Sequence, residues 1–146
     1  QRDITPDLKG ALAAHRKKHF PAITDPAKVG RLLNMINAYE GTPTVRAAMR
    51  LAPLVFVRPK ELRHAEWSEI DFEAAEWRIS GSKMKMGEDH IVPLSTQAIE
   101  ILREQEMLTG HWNGYVFPSA RSPRRAMSDN AILSAFRNMG IGKDEV

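Results

Sequence analysis

Residues 54–79 read LVFVRPKELRHAEWSEIDFEAAEWRI, and within this stretch the spacing of the apolar residues changes. Pro59 suits the first turn of a short helix, because proline lacks only an N–H that this turn leaves unpaired. Apolar residues then alternate with polar ones over 70–72 and again over 77–79, with residues 73–75 as a turn. Alternation with a period of two is typical of strands. This stretch therefore predicts a helix followed by two antiparallel strands.

Two further helices are predicted before this stretch. Asp25-Pro26 and Thr42-Pro43 each combine a residue that caps helix N-termini with proline at the first helical position. The first helix is expected to end at Gly41 and to bury four apolar residues at helical spacing, namely Val29, Leu32, Leu33 and Ile36. The second is expected to bury Val45, Ala48, Met49 and Ala52 and to run into the apolar stretch 54–57.

A third strand and a fourth helix are predicted after it. A loop over 81–89 leads to the strand 91–94, and Pro93 within that strand favours the edge of the sheet, because proline cannot donate to a neighbouring strand. Ser95 is a good N-cap for the fourth helix. Its inward residues are expected to be Ala98, Ile101, Leu102 and Leu108.

The last part of the chain is predicted as a short extended segment at 115–118, a basic loop at 119–127 and a final helix. Ser128 is the expected cap of that helix and Gly140 its end. The inward residues are expected to be Ile132, Leu133, Phe136 and Met139. Helices, a three-stranded antiparallel meander and further helices make a mostly helical α+β fold.

The composition excludes several classes of site. The 146 residues include no cysteine, which removes disulfides, thiolate zinc sites and cysteine nucleophiles, and the five histidines are too dispersed to suggest a metal site. No apolar run approaches the roughly 20 residues of a membrane span. The net charge of +3 suggests a polyanionic partner. A chain that begins at Gln1 and stops in the loop-like segment 141–146 is interpreted as part of a longer protein.

Arg58 is the strongest local candidate for a functional residue. It stands at the N-terminus of the short helix, where a positive charge opposes the helix dipole and lowers stability. The preceding apolar run would anchor its backbone, while the guanidinium emerges at the edge of the core. A fixed guanidinium beside free helix N–H groups makes a phosphate site. The alternative is that Arg58 only pairs with Glu61 or extends into water.

Lys83 and Lys85 form the second candidate. Two lysines two residues apart in an extended loop can project the same way, toward a phosphate. A lysine held against a phosphodiester could donate a proton to a leaving oxygen. The alternative is a solvated loop whose charge is balanced by Glu88 and Asp89.

A third group of candidates could contact a DNA backbone. Arg121, Arg124 and Arg125 precede Ser128 in a hydroxyl-rich segment, and such side chains position phosphates without reading a base sequence. A solubilising basic loop is the equally weighted alternative. His90 could also contact a phosphate, although a lone histidine at the start of a strand is more often structural.

Four stretches of the chain, taken in sequence order, resemble the catalytic domain of tyrosine recombinases, in particular the integrases of prophages and genomic islands. They are PAITDP (21–26), the stretch 54–79 quoted above, KMKMGEDHIVPLS (83–95) and YVFPSARSPRRAMSDNAI (115–132). The resemblance covers nearly all of residues 21–146. Residues 1–20 resemble the end of the core-binding domain that precedes the catalytic domain in this family.

The resemblance implies a mechanism. A tyrosine attacks a DNA phosphodiester, forms a 3′-phosphotyrosyl link and frees a 5′-hydroxyl, with no metal or other cofactor because the covalent link conserves the bond energy. Arginines and His or Trp donors stabilise the transition state, and a lysine on a β-hairpin protonates the leaving oxygen. By the match of RPKEL, Arg58 is the first catalytic arginine and Glu61 its supporting partner. By the spacing to HIVPL (90–94), Lys85 is the catalytic lysine and Lys83 a DNA-contacting neighbour.

The family also has a His-x-x-Arg box, another His or Trp and the nucleophilic tyrosine beyond the matching stretches. Tyr39 and Tyr115 do not lie in the nucleophile's context, and both occupy positions expected in the core or at its rim. The chain is therefore expected to be the amino-terminal two-thirds of a catalytic domain and to be inactive alone. The resemblance implies that the intact protein acts on double-stranded DNA attachment sites as a homotetramer in the bacterial cytoplasm, associated with the nucleoid. The rivals are a non-catalytic DNA-binding module on the same scaffold and a protein-interaction domain.

Overall fold

The structure is a computed structural model that describes residues 22–84 and 86–142. The expected helical pattern within residues 1–20 lies outside the described residues, and so does Lys85. Of the described helices, none combines the length and the apolar character that crossing a membrane requires.

Five α-helices are the main elements of the described chain, and their predicted starts are largely confirmed. Asp25 caps the first helix, its side chain accepting a hydrogen bond from the Ala27 N–H at 2.9 Å, and Ser95 caps the fourth by accepting from the Ala98 N–H at 3.2 Å. The helices are α1 (Pro26–Asn37), α2 (Pro43–Val55), α3 (Pro59–Arg63), α4 (Thr96–Thr109) and α5 (Ala131–Asn138). Short 3₁₀ turns cover Trp67–Glu69, Gly81–Lys83 and Gly110–Trp112.

The predicted antiparallel meander is confirmed. Strands β1 (Ile70–Asp71), β2 (Glu76–Ile79) and β3 (His90–Pro93) pair in the order β1-β2-β3. Pro93 lies opposite Glu76 on the edge strand, as its missing N–H requires. Together with the helices, this sheet confirms the predicted α+β class.

The basic segment 119–127 was expected to be a loop, and this expectation is wrong. Strands β4 (Pro118–Ser119) and β5 (Ser122–Ala126) form a second antiparallel pair. The hydroxyl of Ser119 accepts from the Arg121 N–H at 3.2 Å, and that of Ser122 accepts from the Arg124 N–H at 3.3 Å. The serine side chains thus pair backbone N–H groups at the turn. Strand β5 has no alternating apolar face, so the sequence pattern does not reveal it.

The start of the last helix also differs from the expectation. Asn130, not Ser128, is the N-cap of α5, and Ser128 contributes its carbonyl oxygen, which accepts from the Ala131 N–H at 3.2 Å. Three of the four residues expected inside, Ile132, Phe136 and Met139, do pack against the core. Leu133 is 44% exposed, and Leu108 in α4, also expected inside, is 48% exposed.

Two expectations about the amino-terminal helices are corrected. Helix α1 ends at Asn37 rather than Gly41, and only Ile36 of its four apolar residues is fully buried, because that residue packs against Met49 at the end of the helix that meets α2. The apolar run 54–57 enters the core only in part, since Val55 is buried and Val57 packs against the core, whereas Leu54 and Phe56 are exposed. Phe56 is the C-cap of α2 in the left-handed conformation, which turns its side chain into solvent.

The main core lies between α2, α4 and the meander, and it fixes the segment after α4. Trp77 of β2 and Phe117 are its largest fully buried side chains. The carbonyl of the buried Val116 accepts from Gln105 at 2.8 Å and from Thr109 at 3.1 Å, both on α4. On the other side, the Val116 N–H donates to the carbonyl of Ala65 at 2.8 Å. Residues 115–117 are therefore held between α4 and the end of α3.

Candidate functional site

The turn into α3 holds Arg58 through one carboxylate. Glu61 accepts from the Arg58 backbone N–H at 2.8 Å with Oε2 and from Nη1 of its guanidinium at 2.7 Å with Oε1. The Glu61 side chain is 8% exposed, whereas that of Arg58 is 57% exposed. The guanidinium is thus fixed at its inner edge, and its other N–H groups remain available to an oxyanion.

Glu61 stays ionised in this arrangement. Burial by itself would raise the pKa of its carboxyl, but the hydrogen bonds from the side chain and backbone of Arg58 outweigh that effect and lower the pKa below its usual 4.5. The electrostatic effects of Arg58 and His90 on the pKa of Glu61 act in the same direction. The carboxylate therefore keeps its hold on Arg58 throughout the neutral range.

Lys83 is held by three oxygen atoms. It ends the 3₁₀ turn that follows β2, and its ammonium lies 2.7 Å from Glu66 Oε1, 2.7 Å from Glu69 Oε1 and 3.3 Å from the His64 carbonyl oxygen. An ammonium has three N–H donors, so these contacts can occupy all of them. Burial opposes the charged form, yet the two carboxylates prevail and raise the pKa of Lys83. Lys85 lies outside the described residues, so this geometry gives it no position.

One cavity of about 380 Å³ brings several of these groups together. Glu61 and Lys83, which the sequence linked only through family resemblance, both line it. His64 and Tyr115 line it too, with ring centroids 6.1 Å apart in an edge-to-face arrangement, and the His64 Nδ1–H donates to the Lys60 carbonyl at 2.8 Å. Tyr115 is half-buried at the rim, as expected.

The sequence reasoning missed His64, Glu66 and Glu69. A usable signal exists for the two glutamates, because residues three apart lie on the same side of a 3₁₀ turn. Both carboxylates therefore face the same neighbour, which is Lys83. Nothing in the sequence indicates that His64 faces Tyr115, which is distant along the chain.

The remaining predicted residues lie on β3 and on the β4–β5 hairpin. His90 opens β3 opposite Ile79 and is exposed. Arg121, Arg125 and Ser128 line a cavity of about 820 Å³ between the hairpin, α2 and α5. Arg124 lines a different cavity, of about 620 Å³, together with Trp112 and others. The three arginines are therefore divided between two faces of the hairpin.

The larger of these two cavities is suited to an anion. Its lining includes no Asp or Glu, and beside the two arginines it presents the hydroxyl groups of Thr42, Thr44, Ser119, Ser122, Ser128 and Ser134. Within residues 22–84 and 86–142, no three His, Cys, Asp or Glu side chains are grouped so that they could hold a metal ion.

Comparison with known proteins identifies the family. Residues 23–146 match the phage integrase family. The chain belongs to this family. It is 36% identical over 146 residues to the integrase of Enterobacteria phage P4, an alignment that covers 92% of this chain and 33% of that protein. It is 38% identical over 148 residues to the protein IntB of Escherichia coli K12, covering 92% and 36%. The chain thus spans about a third of the length of these relatives.

A solved structure supports the fold. The crystal structure of XerA recombinase superimposes with a TM-score of 0.63 at 20% sequence identity, covering 87% of this chain and 44% of that one. The family membership and the helical fold with its small antiparallel sheet, both expected from the sequence, are confirmed. The roles of the individual site residues remain predictions.

The Glu61 contacts predict a pH-dependent stability. The folded-state pKa of Glu61 lies below its unfolded value, so the ionised carboxylate stabilises the fold above about pH 4.5, and this contribution is lost as the pH falls through the folded pKa. Glu61→Gln should therefore be less stable than the wild type at pH 7, and the difference should shrink below pH 4.5. Urea unfolding between pH 7 and pH 3 measures this. Glu106→Gln, which removes a surface carboxylate paired with Arg103, is the matched control and should show little difference at any pH. A difference in unfolding free energy between the wild type and Glu61→Gln that does not change with pH would contradict the prediction.

Proposed function

We propose that the chain is part of a site-specific DNA recombinase that cleaves and rejoins DNA strands through a phosphotyrosine intermediate. The observation that carries this proposal is the exposed guanidinium of Arg58, held by the buried Glu61 in a chain of the phage integrase family. The intact protein acts as an integrase on double-stranded attachment sites, as a homotetramer, in the bacterial cytoplasm at the nucleoid. Residues 21–146 contribute the amino-terminal two-thirds of its catalytic domain.

Arg58 supplies charge stabilisation in this proposal. Negative charge grows on the non-bridging phosphate oxygens as the tyrosine attacks, and a planar fork of N–H donors can bind two of these oxygens together. Glu61 fixes the guanidinium before the reaction, so little reorganisation is needed when the charge develops. Donors that are oriented in advance in this way account for most electrostatic catalysis. Glu61 acts on the reaction only through Arg58.

Lys85 is the proposed general acid, and the contacts of Lys83 support that choice over the neighbouring lysine. A general acid must release its proton, whereas two carboxylates hold the proton of Lys83 and raise its pKa. The proposed DNA contact of Lys83 would require it to exchange one of these carboxylates for a phosphate. His90, at the start of β3, is proposed to contact a phosphate near Glu61, whose pKa is lowered in part by the electrostatic effect of His90.

The β4–β5 hairpin is the proposed second contact with DNA. Arg121, Arg125 and Ser128 surround a cavity without carboxylates, which suits backbone phosphates. Arg124 is proposed to contact DNA as well, from the opposite face of the hairpin.

The division of labour between Arg58 and Lys85 is testable in the intact protein. Arg58→Lys keeps the charge but loses the fork, so cleavage should fall by ~10²–10³-fold while DNA affinity changes little. Lys85→Ala should also slow cleavage of ordinary DNA. A substrate whose bridging 5′-oxygen is replaced by sulfur should restore its rate, because a thiolate leaves without a proton. Rates of covalent-adduct formation on both substrates measure this.

The sulfur substrate should not restore Arg58→Lys, whose role concerns the non-bridging oxygens. Lys83→Ala is the matched control two residues from Lys85. If Lys83→Ala is the variant that sulfur rescues, the general acid is Lys83. Full cleavage by both Arg58→Lys and Lys85→Ala would remove both residues from the catalytic machinery. Absence of cleavage by the intact wild type would instead favour a non-catalytic DNA-binding module.

We also propose that the 146-residue chain alone forms no covalent adduct. Its two tyrosines, Tyr39 and Tyr115, lack the sequence context of the nucleophile. Incubation with a nicked suicide substrate followed by denaturing electrophoresis should therefore show no protein-linked DNA. An adduct mapped to Tyr115, which lines the same cavity as Glu61 and Lys83, would overturn the assignment.

Because Arg124 and Arg125 line different cavities, the DNA contact of each face of the hairpin can be tested separately. Arg125→Ala should weaken DNA binding by the 146-residue chain and reduce the slope of log affinity against log salt by about one, as expected for the loss of one phosphate contact. Arg124→Ala, on the other face of the same strand, should reduce the slope by a similar amount, because Arg124 is proposed to contact DNA as well. Equal slopes for the wild type and Arg125→Ala, measured by fluorescence anisotropy from 50 to 300 mM salt, would remove the larger cavity from the DNA interface.

A further inference from the structure

Phe56 is unusual for a large apolar residue in both its exposure and its backbone conformation. Its side chain is 98% exposed, and its backbone has a φ of 49° and a ψ of 40°. The left-handed region is uncommon for residues other than glycine and is an outlier for bulky side chains. The backbone N–H donates to the Ala52 carbonyl at 3.4 Å, which is the helix-ending contact that glycine usually makes. Glycine would therefore end α2 with less strain, and the aromatic ring adds no packing to the core.

Backbone strain and an exposed aromatic side chain that coincide at one residue point to a function outside the fold. The position of the residue indicates which partner covers the ring. Phe56 precedes Arg58 by two residues, so their Cα atoms are at most about 7 Å apart. Nucleotides rise by about 3.4 Å along each DNA strand. A phosphate on Arg58 therefore places its neighbouring nucleotides within reach of the ring.

The charges of the same segment favour DNA over a protein partner. Residues 51–60 include Arg58 and Lys60, both exposed, and no carboxylate. The nearest acid that follows, Glu61, is buried against Arg58. Strand exchange also requires nucleotides to leave their partners beside the cleaved bond, and an unpaired base offers a flat surface on which an aromatic ring can stack.

We propose that the Phe56 ring stacks on an unpaired base next to the phosphate that Arg58 holds. This inference rests on the proposed function of Arg58. Phe56 is then a binding residue for the open strand rather than a reader of duplex sequence.

The test compares the binding of two DNA probes by the 146-residue chain, one an intact duplex and one with a short single-stranded gap that carries 2-aminopurine. Phe56→Gly should lose about 5- to 100-fold in affinity for the gapped probe, since stacking on one base contributes that much. Its affinity for the intact duplex should change less than about twofold. Phe56→Trp should retain binding and the quenching of 2-aminopurine fluorescence. Met107→Ala, which truncates another exposed apolar side chain on α4, is the matched control and should bind like the wild type.

The melting temperature of Phe56→Gly distinguishes a role of the ring in DNA binding from a role in the fold. Phe56→Gly should raise the melting temperature by ~2–4 °C, because it relieves the left-handed strain. A lower melting temperature would show that the ring belongs to the fold, and a change only in oligomeric state would assign it to contact with another copy. Either result overturns the inference, as does unchanged binding of the gapped probe. Arg58→Ala separates the two proposals: if it weakens binding to the intact duplex while Phe56→Gly leaves the gapped probe unaffected, the proposed function survives and the stacking role fails.

Discussion

The carboxylate of Glu69 connects the core to the candidate site. Its Oε2 accepts from the indole N–H of the fully buried Trp77 at 3.2 Å and from the Glu66 backbone N–H at 3.1 Å, while its Oε1 holds Lys83 at 2.7 Å. The side chain is only 11% exposed. A nearly buried charge is tolerated only with such partners, and through them Glu69 links β2, the turn at 66–69 and the loop after β2.

The positions of the other site residues follow from the same turn. The Glu66–Tyr115 bridge and the Trp67 N–H, which donates to the Gly114 carbonyl at 3.0 Å, bring the segment after α4 against it. Gln105 and Thr109 fix that segment from the other side, and Tyr115 thereby faces His64. The cavity is thus lined by parts of the chain that are distant in sequence, and rigid secondary structure sets their relative positions.

Local chemistry accounts for what could be predicted from the sequence. Caps such as Asp25 and Ser95, the alternation in the meander and the Arg58–Glu61 pair each depend on residues within about four positions of one another. The features that were not predicted depend on backbone conformation or on contacts between residues distant in sequence. Strand β5 is held by backbone pairing without an apolar pattern, and Phe56 is turned outward by the way α2 ends. The contacts of Lys83 with Glu66 and Glu69 join residues 14 to 17 positions apart, which no local pattern encodes.

The charges suggest that attraction of DNA and stabilisation of the reacting phosphate are assigned to different surfaces. The smaller cavity is lined by three glutamates, Glu61, Glu66 and Glu69. Their charges balance those of its two lysines, Lys60 and Lys83, and of the neighbouring Arg58. Three cations against three carboxylates give the smaller cavity little long-range attraction for a polyanion, although the exposed Arg58 and Lys60 can still contact a phosphate at short range. The carboxylates instead fix the cations in place, which favours a transition state more than a bound duplex. The cavity at the β4–β5 hairpin has two arginines and no carboxylate, so it can supply the long-range attraction that the smaller cavity lacks. Preorganisation of Arg58 by Glu61 is therefore compatible with DNA binding, because the attraction comes from the hairpin.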